Sequence, residues 1–119
     1  MIRAFKLYTG RDGASHVLQG RVAEDHRSSV ATIRFAESPP HSKLDWHDAP
    51  QLQYVVTLSG TLAFTTRDGE AFTLQPGDVL IATDDAGTGH EWRLVDDAPW
   101  RRMYVTFPTG SDEGFIADE

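Results

Sequence analysis

Apolar and polar residues alternate along most of this chain, and the alternation predicts strands, not helices. Residues 3–8 place Phe5 and Leu7 on one side and read as a first strand, closed by the turn chemistry of Thr9-Gly10-Arg11-Asp12-Gly13. Residues 17–24 read as a second strand, broken at Gly20. Residues 29–35 set Ala31, Ile33 and Phe35 against Val30, Thr32 and Arg34, a half-buried pattern. Ser38-Pro39-Pro40 ends that strand, since proline cannot donate to a ladder and restricts the residue before it. A loop is expected from there to about Pro50.

Residues 51–59 are the clearest strand, with Gln53, Val55 and Thr57 on one face and Tyr54, Val56 and Leu58 on the other. Gly60 marks a turn; 61–66 and 71–75 flank an Asp68-Gly69 hairpin signal. Pro76-Gly77-Asp78 is the next turn, and the apolar run 79–82 predicts a buried strand. A loop rich in Asp and Gly spans 83–89, and Asp84 and Asp85 read as its solvated charges. His90, Trp92 and Leu94 share a face of the following strand, and 100–107 form the last one. Many short strands separated by Gly, Asp and Pro turns predict an all-β fold: nine or ten strands closing into a jelly-roll barrel with room for side chains or one small ligand. Length predicts a single domain, residues 1–119, with 108–119 a polar, acidic tail ordered if it docks.

Composition narrows the function classes. There is no cysteine, which excludes disulfides, thiolate metal sites and a cysteine nucleophile. Acidic residues exceed basic ones by seven, and Arg101-Arg102 is the one basic cluster, which argues against a nucleic-acid or anionic-lipid surface. No stretch approaches the roughly 20 apolar residues of a membrane span. The N-terminus lacks a signal peptide's apolar run, so a cytoplasmic protein is expected. Phosphate-binding loops, serine elbows and paired catalytic carboxylates are absent.

Residues 46–60, WHDAPQLQYVVTLSG, and 87–92, GTGHEW, organise the rest. They read as two walls of one barrel pocket, with His47 and His90 facing each other inside. Trp46 and Trp92 are candidate pocket aromatics, while Tyr54 and Trp100 read as core.

The two stretches resemble the motifs of the cupins, small double-stranded β-helix proteins. His47-x-Ala49, three residues, Gln53, six residues and Gly60 fit the spacing of the first motif; Pro76-Gly77-Asp78 followed by His90 fits a relaxed second. The resemblance covers residues 47–93 and implies a divalent metal, iron, zinc, nickel or manganese, held by histidines and a glutamate. Ala49 and Gln53 stand where that pattern has its second histidine and its glutamate. A reduced site of His47, Gln53 and His90 is what the resemblance leaves, with an amide in place of a carboxylate and hence weaker attraction for a dication. His41, on the loop after Pro39-Pro40, could fold over the mouth and add a nitrogen or touch substrate.

Three functions compete. One is a metal-dependent oxygenase or isomerase for a small molecule. Another is a metal-free, non-catalytic binding or sensor module, motivated by Ala49 and Gln53. A metal-independent sugar-nucleotide isomerase pairing histidine with tyrosine ranks last, because parity turns Tyr54 away from His47. A homodimer is expected, formed through the edge of the N-terminal strand.

Overall fold

In the computed structural model of the protein, residues 1–47 and 51–118 are described, with 45–47 described by their backbone alone. Eleven strands and no helix occur among them. They are β1 (Ile2–Thr9), β2 (Ser15–Val22), β3 (Thr32–Ser38), β4 (Lys43–His47), β5 (Gln53–Ser59), β6 (Leu62–Thr66), β7 (Ala71–Leu74), β8 (Val79–Thr83), β9 (His90–Leu94), β10 (Trp100–Thr106) and β11 (Phe115–Ala117). A seven-stranded sheet, in the order β11-β2-β1-β8-β5-β10-β3, packs against a four-stranded one, β4-β9-β6-β7. The expected all-β jelly roll is therefore the observed fold.

The turns follow their residues. Asp78 N donates to Gln75 O at 2.9 Å across Pro76-Gly77, and Gly77 has φ 89°, which fits a type II turn. Gly60 has φ 94° where the chain leaves one sheet for the other, and a Cβ there would lie 3.0 Å from both Leu94 and the Pro99 carbonyl.

Two cores result. Between the sheets pack Phe5, Leu7, Val55, Leu62, Phe64, Leu74, Leu80, Leu94 and Trp100. Outside the large sheet, Ala4, Val79, Ile81 and Phe107 form a second cluster, flanked by Tyr54 and Phe115. β8 is buried on both faces for this reason, as its unbroken apolar run predicts. The tail closes the outer core: β11 pairs with β2, Tyr54 Oη donates to the Glu113 carbonyl at 2.9 Å, and Lys6 pairs with Glu113. The acidic tail thus docks through its backbone and one cation.

Three expectations are corrected. The stretch assigned to a loop before Pro50 contains β4, which pairs with β9. β1 lies between β2 and β8, hydrogen-bonded on both sides, so it offers no edge for a dimer; β3 and β11 are the edges of the large sheet. The half-buried pattern read for residues 29–35 does not hold: all of them are exposed, with Arg34 at the rim of the barrel cavity.

Candidate functional site

One end of the barrel is not filled. A cavity of about 180 Å³ lies between the sheets, walled by Val55, Phe64, Leu80, Trp92 and Trp100. Its polar groups are Gln53 on β5, His90 on β9, Arg34 on β3, and Arg102 and Tyr104 on β10. Strand alternation sets this list. Trp100, Arg102 and Tyr104 share the inner face of β10, as Gln53, Val55 and Thr57 share that of β5. No carboxylate lines the cavity among the described residues.

His90 is 4% exposed and its Nδ1 donates to Asp84 Oδ2 at 2.7 Å. Asp84 is fully buried and also accepts from Ser15 Oγ at 2.8 Å. Ser15 is fixed in turn: its Oγ accepts from Gly89 N at 2.9 Å and its own N donates to Thr88 Oγ1 at 3.1 Å. Burial alone would push the Asp84 carboxyl up, but the His90 and Ser15 hydrogen bonds outweigh it and hold the group below its ordinary value. Asp84 is therefore a buried carboxylate, not the solvated loop charge expected. With Nδ1 held this way, Nε2 is the nitrogen through which His90 would meet a metal or a ligand.

His47 is the register partner of His90 on the neighbouring strand, so the two stand side by side on one sheet and not on opposite walls. The side chains of His47 and Trp46 lie outside the described residues. Gln53 sits across the barrel on β5, 9% exposed. Trp92 lines the cavity, its ring edge-on to Trp100 at 4.6 Å. His41 does not join this group: it occupies an exposed turn with φ 65°, and its Nε2 lies 3.0 Å from Asp97. Tyr54 faces the outer core, where its hydroxyl meets Ser28 and Glu113, so the cavity tyrosine is Tyr104.

Arg102 was not expected in the site. It is 9% exposed, with Nε donating to Tyr104 Oη at 3.0 Å and Nη1 to Ser38 Oγ at 2.8 Å and the Trp100 carbonyl at 3.1 Å. Its guanidinium lies 4.0 Å from the Trp100 ring centre, and that of Arg34 lies 4.3 Å from the Tyr104 ring centre. The clue in the sequence was parity with Trp100.

A second histidine cluster lies at the surface. Asp12, His16 and Asp68 bring their ligand atoms within 4.8 Å of one another. Both ring nitrogens of His16 already face carboxylates, Nδ1 with Glu70 at 2.5 Å and Nε2 with Asp12 at 2.9 Å. The Glu70 and Asp12 hydrogen bonds raise the His16 pKa. Carboxylates at both nitrogens favour the protonated ring, and an imidazolium has no lone pair for a metal.

A family profile described as the cupin domain matches residues 34–110, more than half of the chain. A crystal structure of a cupin-2 domain containing protein from Shewanella frigidimarina is similar at 20% identity and TM-score 0.45, over 69% of this chain and 80% of that one. The cupin-2 domain of an XRE family transcriptional regulator from Enterobacter cloacae is similar at 21% identity and TM-score 0.39, over 91% of this chain and 99% of that one. No curated protein sequence matches.

Proposed function

The chain belongs to the cupin domain family, and on that premise we propose that it binds a small organic molecule in the barrel cavity, next to a weakly held divalent metal. The observation that carries the metal is the buried Asp84–His90 pair, which fixes the orientation of a cavity-lining imidazole. His47, beside His90 in register, and the Gln53 amide would complete the donor set. Two imidazoles and an amide fit a borderline ion such as iron, zinc or nickel better than magnesium or calcium, and manganese less well. A bound ion would supply Lewis-acid or redox chemistry, the basis of isomerisation or oxygenation. Around it, Trp92 and Trp100 exclude water and Arg102 orients polar groups. The proposal places the protein in the cytoplasm as a homodimer, with an edge other than β1 as the contact.

A metal-free binding or sensor module is the second reading. It is favoured by the charge of the cavity: Arg34 and Arg102 line it with no carboxylate among the described residues, which repels a dication.

Elemental analysis separates the two. Protein purified without chelator or histidine tag should carry near-stoichiometric metal, and the His47→Ala/His90→Ala double variant none. Metal absent from both after incubation with divalent ions would establish the second reading.

A further inference from the structure

The group least explained by the fold is the Arg102 guanidinium. A buried arginine is ordinarily matched by a carboxylate, because removing a cation from water is costly without one. Arg102 is 9% exposed and its three protein acceptors are all neutral: a tyrosine hydroxyl, a serine hydroxyl and a carbonyl. The two N–H groups of Nη2 have no acceptor among them. Arg34 enters the same cavity from β3, and neither arginine forms an ion pair among the described residues. By contrast, Arg101, the next residue on the outer face, pairs with Glu37. Arg102 is thus a buried cation without a carboxylate, and Arg34, itself exposed, lines the same cavity.

The contacts these arginines do make also hold them in place. Arg102 lies against Trp100, Arg34 lies against Tyr104, and Arg102 Nε is tied to the Tyr104 hydroxyl. Held this way, Arg102 has the two N–H groups of Nη2 left to donate, a fixed cationic donor for a carboxylate oxygen. The remaining wall is aromatic and aliphatic, and a cavity of about 150 Å³ accommodates a benzene ring, so about 180 Å³ matches one ring with a small substituent.

We propose that the cavity selects a small monocarboxylate with a compact apolar or aromatic body, its carboxylate on Arg102 and Arg34 and its body against Trp92 and Trp100. This rests on the reading that the cavity binds a small molecule, and it holds with or without a metal at His90. Arg102 and Arg34 are specificity-determining residues in this scheme, discriminating acid from amide by charge.

Benzoate and benzamide, which share a ring and differ in charge, are the probes. Binding is followed by tryptophan fluorescence, since two tryptophans line the cavity, in the parent, Arg102→Met and Arg34→Met proteins, with and without chelator. Benzoate is expected to bind about 10- to 100-fold more tightly than benzamide. Arg102→Met should remove that preference, Arg34→Met should reduce it, and chelator should leave it intact. Arg34 is exposed on an edge strand, so its variant will fold even where Arg102→Met does not, and the acid–amide comparison in the parent stands without either. Equal affinity for acid and amide overturns the inference while leaving a binding cavity. Benzoate binding abolished by chelator but indifferent to Arg102→Met overturns it in favour of metal coordination. No saturable binding of either probe overturns both the inference and the cavity reading beneath it.

Discussion

Ser15 and His16 are neighbours on β2, yet they serve two histidine–carboxylate assemblies of opposite character. Alternation turns Ser15 inward, where it binds Asp84 behind His90, and turns His16 outward to Asp12 and Glu70. In the inner assembly one buried carboxylate grips one ring nitrogen, which sets the direction of the other. In the outer assembly carboxylates face both nitrogens and favour the protonated ring. The same residue types therefore give a binding group in one place and a surface clamp in the other. The number of carboxylates and access to water decide which.

The contrast can be broken most severely at Asp84. Asp84→Ala removes a fully buried carboxylate and strands Ser15 Oγ and His90 Nδ1, and should cost about 3 kcal/mol by urea denaturation. Asp84→Asn keeps the shape and should cost less. Equal stability of the alanine variant and the parent would deny Asp84 its structural role.

Two glycines probe the same contrast without touching a charge. A Cβ on Gly87 would lie 2.2 Å from Ser15 Oγ, with Ser15 N at 3.1 Å behind it. Gly87→Ala must displace a buried strand residue and should cost about 2 kcal/mol. A Cβ on Gly10 would meet the His16 ring at 2.6 Å and Asp12 Oδ1 at 2.7 Å, but these are the ends of side chains that can move into solvent. Gly10→Ala should therefore lose much less, and thermal melts of the pair give the ranking directly.

The smallest effect concerns pH. The folded pKa of His16 is raised, by Glu70 first and then Asp12, so its stabilisation is complete below the ordinary imidazole value and lost as pH rises through the raised one. Asp12 is lowered, mainly by the Ala14 amide and then by His16, so its share is lost as pH falls through its lowered value. The stability difference between the parent and His16→Gln should peak between about pH 4 and 6.5 and fade toward alkaline pH. A difference that grows above neutrality would contradict the clamp.

Much of this was legible from period-two patterning. The inner faces of β5 and β9, the double burial of β8 and the turn at Pro76-Gly77 follow from residues in reach of one another. Local pattern fails where a long-range partner decides. Asp84 looks solvated beside Asp85 until Ser15, 69 positions away, covers it. Residues 29–35 alternate as a half-buried strand does, but β3 is an edge strand exposed there on both faces, with Arg34 against Tyr104. β11 is three residues long, too short for any periodicity, and exists because β2 offers it a ladder. β4 does alternate, Leu44 and Trp46 against Lys43, Asp45 and His47, but it is five residues long just after Pro39-Pro40, and its pairing with β9 is what identifies it.

The position of β3 has a consequence for access. It forms part of the cavity wall, yet it is hydrogen-bonded to β10 alone, with nothing on its other side among the described residues. Strands held on one side open with less free energy than those held on two, so β3 is expected to open ahead of the rest of the barrel. A guest that engages Arg34 and Arg102 together bridges these two strands. Such a guest would hold that seam closed, and amide exchange along β3 would slow when it binds.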